Sequence, residues 1–201
     1  MTTTQPASNE MRVASSYTST GPARAVDFTL ATEEYDVFVR TCADMDLAID
    51  IPNRHIDHAA VLENNILRLT KNGVDILTGT FPELFFDKIH DEFESALHRD
   101  VTVRLIIVDC EPCAAIIALR AQYTNLKLFT LRKDAREEIS RKVRHFMVSD
   151  KKRFRLEERH EKKDFSIDPS VKATATFNNP TGASALQDAF NTLLEFSELV
   201  S

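Results

Sequence analysis

No apolar run in the sequence approaches the ~18–20 residues that a membrane-spanning helix requires, so no such span and no membrane partner are expected. The polar N-terminus lacks the charged and apolar regions of a signal peptide, and the expected location is the cytoplasm. Cysteine is scarce. Cys42, Cys110 and Cys113 form an odd set, unlike the even framework of a disulfide-stapled secreted protein, and reduced thiols are expected. An excess of positive charge is also lacking: the formal net charge of −6 argues against general attraction to nucleic acid or anionic membrane, which needs clustered cations. There is no internal repeat, which argues against a second copy of one domain within these 201 residues.

What is present fits an ordinary folded domain. Hydrophobic residues make up 43% and charged residues 28% of the chain, close to globular averages. A chain of this length buries a core without disulfides or metal ions, and no motif calls for a cofactor. The charge is segregated: residues 132–163 hold 13 Lys or Arg against 7 Asp or Glu, leaving 12 against 24 elsewhere. Residues 1–24, rich in Thr, Ser, Ala and Pro and without hydrophobic period, read as a disordered tail. Residues 25–201 read as a single α/β domain.

Within that domain, Tyr35, Phe38, Val39 and Cys42 recur at helical spacing, and a helix is expected from Thr32 to just before Pro52. A second helix is expected from about Arg54 to Lys71, stopped by Asn72-Gly73. Residues 32–58 thus form an N-terminal helical extension. Val74–Thr78 reads as a strand, Pro82 as the first turn of a helix closing near Asp100, and Val101–Val108 as a buried central strand. A helix over about 111–123 and a strand over 126–131 complete a β-α-β-α-β order with parallel pairing. After a charged connector, Arg144–Ser149 and Lys152–Glu157 read as a hairpin turning at Asp150-Lys151. Val171–Phe177 alternates as a strand, and a last helix carries Leu186, Ala189, Phe190, Leu193 and Val200.

Over roughly Ala59 to Val200 this element order, with Asp100-Val101-Thr102-Val103-Arg104-Leu105-Ile106-Ile107-Val108-Asp109, resembles one half-domain of the phospholipase D superfamily. The resemblance implies a core over 59–200 with a mixed, mostly parallel sheet flanked by helices. In that family a His-x-Lys-x4-Asp motif lies on a hairpin strand with the Asp at the turn. The matching stretch runs from Val143 to Asp150. It places Asp150 on the family aspartate, His145 where the lysine belongs and Val143 where the nucleophilic histidine belongs. A valine cannot form the covalent intermediate, so the motif is degenerate. His160-Glu161-Lys162 resembles the motif's start, but Ile167 stands where its Asp should be.

The resemblance implies a non-catalytic binding or regulatory module that pairs into a homo-oligomer, as family half-domains do. A phosphodiesterase or nuclease with a diverged site around His145, Asp150 and Asn178, assembled in a homodimer, remains open. So does a thiol redox protein using Cys110 and Cys113, whose Cys-x-x-Cys spacing opens a helix after a strand. Arg144, Lys151, Lys152, Arg153 and Arg155 are candidate anion contacts, and the segment 132–163 is the candidate surface for a protein or nucleic-acid partner. Alternation on the two strands limits how many share a face, and interspersed Glu137, Glu138, Glu157, Glu158 and Glu161 favour a solvated, ion-paired face. His55 and His58, beside Asp57, lack a third ligand at diagnostic spacing, and no metal site is assigned.

Overall fold

The computed structural model of the chain describes residues 31–79, 81–140, 144–158 and 170–200. The expected tail, Val143 and the His160 stretch lie outside them. Among the described residues, six helices and eight strands follow one another. They are α1 (Thr32–Asp44), β1 (Ile51–His55), α2 (Ile56–Leu69), β2 (Gly73–Thr78), α3 (Glu83–His98), β3 (Thr102–Ile107) and α4 (Ala114–Gln122). Then come β4 (Leu126–Leu131), α5 (Lys133–Ser140), β5 (Phe146–Ser149), β6 (Arg153–Glu157), β7 (Ser170–Thr176), α6 (Pro180–Leu194) and β8 (Ser197–Leu199).

All eight strands join one sheet in the order β1-β7-β6-β5-β2-β3-β4-β8. Both faces are covered. Val74, Ile76, Val103, Leu105, Ile107, Leu126 and Leu128 cluster with apolar residues of α1, α2, α3 and α4. Leu77, Ile106, Phe146, Val148 and Phe154, of the opposite parity, cluster with Ala183, Phe190 and Leu193 of α6. This explains why β3 reads as an apolar run interrupted at Arg104. Arg104 reaches the α6 face, where it makes a bidentate pair with Asp75 at 2.6 and 2.7 Å and lies over the Phe190 ring.

The sheet is mixed, but parallel pairing is confined to β2–β3 and β3–β4, so it is less parallel than expected. Every other pairing is antiparallel. Two strands were not expected: β1 spans the break between the first two expected helices, and β8 falls within the expected last helix. Ile51–His55 is an edge strand, so the extension over 32–58 is not wholly helical; Pro52 sits where an edge strand tolerates a missing N–H. Arg54 and His55 belong to that strand, and the His55 ring accepts from the Asp57 N–H to cap α2. Val200, expected on the last helix, follows β8 instead, and its N–H donates to the Leu128 carbonyl. The charged connector contains a helix, α5, and α4 opens at Ala114 with Cys113 as its cap. The β5–β6 hairpin forms as expected. Asp150 and Lys151 have φ of 51° and 53°, the left-handed pair that matches a tight hairpin's twist.

Candidate functional site

The topology brings chemically active side chains together at one end of the sheet. β2 and β3 run parallel and finish there at Thr78 and Ile107, while β5 runs against β2, with Phe146 opposite Leu77. His145, just before β5, therefore stands beside the chain leaving β2. Its ring lies close over Gly79: a Cβ at position 79 would fall 2.6 Å from Nε2 and 3.1 Å from Asp109 Oδ2. Any side chain at position 79 would force the imidazole to move away. The imidazole and the Asp109 carboxylate thus flank one point at the carboxyl ends of the parallel strands, where open α/β sheets place ligands.

On its other side, His145 Nδ1 faces Glu157 Oε1 at 3.6 Å, and the Glu157 N–H donates to the His145 carbonyl at 2.9 Å. Glu157 is held in turn. Arg155, two residues earlier on the same face of β6, donates Nη2 to Glu157 Oε2 at 3.0 Å and Nη1 to Glu63 Oε1 of α2 at 3.1 Å. Its Nε donates to Asn53 Oδ1 of β1 at 3.3 Å. Arg155, Glu63 and Glu157 are all buried. Two buried carboxylates share one buried guanidinium, and burial raises the Glu63 carboxyl from 4.5 to about 7, with Arg155 opposing the shift.

Above this network lies a cavity of about 50 Å3. Glu63, Arg155, Glu157, His145 and Thr78 form its polar part, and Ile56, Phe81, Phe85 and Val171 its apolar wall. Next to it, buried Tyr35 stacks on His58 at 3.9 Å between ring centroids and donates its hydroxyl to the Pro52 carbonyl; burial raises its phenol well above the ordinary range.

Asp150 and Asn178 are elsewhere, at the far end of β5 and β6. The Asp150 carboxylate accepts from the backbone N–H groups of Lys71, Asn72 and Gly73 at 2.9, 2.9 and 3.2 Å, tying the α2–β2 loop to the hairpin. Asn178 donates to the Asp46 carbonyl at 3.2 Å. A strand advances ~3.3 Å per residue, so His145 and Asp150 are separated by roughly 16 Å of chain. The three diverged-site candidates therefore do not converge.

The anion candidates are also divided. Lys152 and Arg153 pair with Asp46, and Arg153 also reaches Asp150 at 3.5 Å. Arg155 is buried beneath α2, Lys151 is exposed in the hairpin turn, and Arg144 adjoins His145 at the opposite end. They do not form one surface. Arg141 and Lys142 lie outside the described residues. Cys110 and Cys113 are free thiols, half-buried at the start of α4. Among the described residues no group of three His, Cys, Asp or Glu side chains is arranged to hold a metal ion. Glu63 and Asn53 were missed in the sequence. Glu157 was read as one of several charges diluting a basic face. The available signal was that Arg155 and Glu157 share parity on a strand whose other face, Phe154 and Leu156, is apolar.

No family model and no curated protein matches the sequence. Solved structures do match in shape. Nuc from Salmonella typhimurium, a phospholipase D family member, aligns at TM-score 0.59 and 15% identity over 76% of this chain and 97% of its own. NucT from Helicobacter pylori aligns at 0.57 and 13% over 76% and 99%. TrmBL2, an archaeal chromatin protein whose structure shows a novel mode of DNA binding, aligns at 0.57 and 14% over 84% of this chain. The match spans 61% of TrmBL2. The chain has a phospholipase D-like α/β fold.

Proposed function

We propose that the chain is a non-catalytic phospholipase D-fold module that binds a ligand or partner and works as a self-associated unit. The observation that carries this reading is the charge balance at the His145 end. Glu63, Glu157 and Asp109 supply three carboxyl groups against Arg155, and both Nη groups of that guanidinium are engaged by Glu63 and Glu157. Phosphoryl transfer to a histidine needs an approachable imidazole nitrogen and cations that receive the phosphate oxygens. Here Nδ1 faces a carboxylate and Nε2 faces Gly79. With Glu63 and Glu157 both ionised, a phosphodiester entering this cavity meets two carboxylates set against the one guanidinium of Arg155. The alignment of Val143 with the family nucleophile and of His145 with its lysine points the same way.

A DNA-contacting role like that of TrmBL2 is less well supported, because Lys152, Arg153 and Arg155 are all engaged by acidic side chains. For self-association, β8 ends the sheet order with Leu199 55% exposed. The test is hydrolysis of a bis-aryl phosphodiester and of single-stranded DNA by purified protein, with the oligomeric state measured by light scattering. The expected rates equal the buffer blank. Turnover that survives purification and disappears in His145→Ala would overturn the reading.

A further inference from the structure

The excess of carboxylates that disfavours a phosphate also says what the cavity favours. Its inner wall holds Glu63 and Glu157 with Arg155 between them, and Asp109 adds a carboxylate on the other side of the His145 ring. Two buried carboxyls set against one guanidinium leave one unit of negative charge when both ionise. The outer wall is unlike this. Phe81 and Phe85, with ring planes at 86° and centroids 6.2 Å apart, join Ile56 and Val171 in an apolar lining.

We propose that this cavity recognises a primary ammonium group on a short aliphatic stem, with Glu157 as the residue that holds the cation. The inference rests on the binding reading above and names its ligand class. An ammonium carries three donors and no acceptor, and Glu157, Glu63 and Thr78, which line the cavity, carry side-chain oxygen acceptors. The methylene stem lies against Ile56 and Val171, and the aromatic pair adds attraction for a cation near its ring faces. Size agrees with this chemistry. At ~10–15 Å3 for each water-sized site, a cavity of about 50 Å3 accepts roughly three to five non-hydrogen atoms, such as propylammonium or the end of a lysine side chain. A bare metal ion would leave the apolar half unused, and a carboxylate or phosphate would meet like charge.

The test is methyl-detected NMR titration of the full chain at pH 8, where Glu63 is ionised, with propylammonium chloride against sodium propionate at matched ionic strength. Propylammonium should move the Ile56 and Val171 methyl signals saturably, and propionate should not. Glu157→Gln should weaken the response at least tenfold. Should that variant fail to fold, Phe85→Ala, at a half-buried position on the apolar wall, should weaken it severalfold in a folded protein. A blocked Gly-Lys-Gly peptide separates the two sources of the group. Binding of the peptide as tightly as propylammonium assigns the pocket to a partner's lysine, and binding of the small amine alone assigns it to a free alkylamine. Absence of a saturable response to either cation would overturn the proposal without bearing on the phosphodiesterase assay that tests the non-catalytic reading. Saturable binding of propionate or inorganic phosphate in their place would overturn this proposal and undercut the non-catalytic reading as well.

Discussion

The two ends of the β5–β6 hairpin carry similar residues in opposite physical settings. At the turn, Asp150 binds three backbone N–H groups while Lys152 and Arg153 pair with Asp46 near the surface. At the other end, Arg155, Glu157 and Glu63 make comparable contacts as buried side chains. Charge in a sequence therefore has no fixed meaning. At the turn it fastens a loop; beneath α2 it is a buried cluster whose members depend on one another.

The strongest way to break this comparison is to remove the central cation from the buried end. Arg155→Met leaves Glu63 and Glu157 buried without a counter-charge and should destabilise the fold by about 3–5 kcal/mol in urea unfolding. The matching change at the turn, Lys152→Met, removes a partly exposed partner of Asp46 and should cost no more than about 1 kcal/mol. Equal losses at the two ends would sink the distinction.

The next effect is a pH dependence confined to the buried end. The Glu63 carboxyl titrates near 7 in the folded chain, above its ordinary 4.5, because burial disfavours its ionised form. The folded state thus holds this proton more tightly than the unfolded state. The contribution is fully present below about pH 4.5 and is lost as pH rises through 7, a change on the order of 3 kcal/mol. Glu63→Gln should flatten this part of the stability curve between pH 5 and 8. An unchanged slope in that variant would show that Glu63 is not the titrating group.

A smaller effect sharpens the other side. Asp150→Ala strands three loop N–H groups and removes the hydrogen-bonding side chain from a left-handed position, for about 2 kcal/mol. Asp150→Asn, which keeps an acceptor and tolerates that backbone, should recover about half. Hydrogen exchange at Asn72 and Gly73 reads the effect locally, and protection unchanged from wild type in Asp150→Ala would refute the tie.

The fold was largely legible because periodicity reports burial directly. β3, β4, the hairpin and β7 fell close to their expected bounds, and the β-α-β-α-β order carried the parallel centre. β1 and β8 were not legible. Each is short, each pairs with one strand only, and their partners, β7 and β4, are set by tertiary arrangement rather than by neighbouring sequence. The candidate site was legible only in part. His145 stood out through the resemblance to the family's motif strand, but Glu63 looked like an ordinary helix carboxylate, since nothing local reveals that Arg155 lies opposite it across 92 positions. Asp150 was drawn toward His145 by motif spacing, although five residues of strand carry it to the other end.

The strand order also bears on how the chain reaches this structure. β2, β3 and β4 connect through single helices, and the Asp75–Arg104 pair between neighbouring strands spans 29 positions. β1 must await β7: Asn53 donates to the Val171 carbonyl across 118 positions. Closing so long a loop loses chain entropy before any contact compensates it, so the parallel centre should assemble early and β1 should dock late. Asn53 rides on β1 and binds Arg155, which places the dehydration of the Arg155 cluster in the closing event of folding. A variant that weakens the cluster should then hasten unfolding while leaving the refolding rate almost untouched.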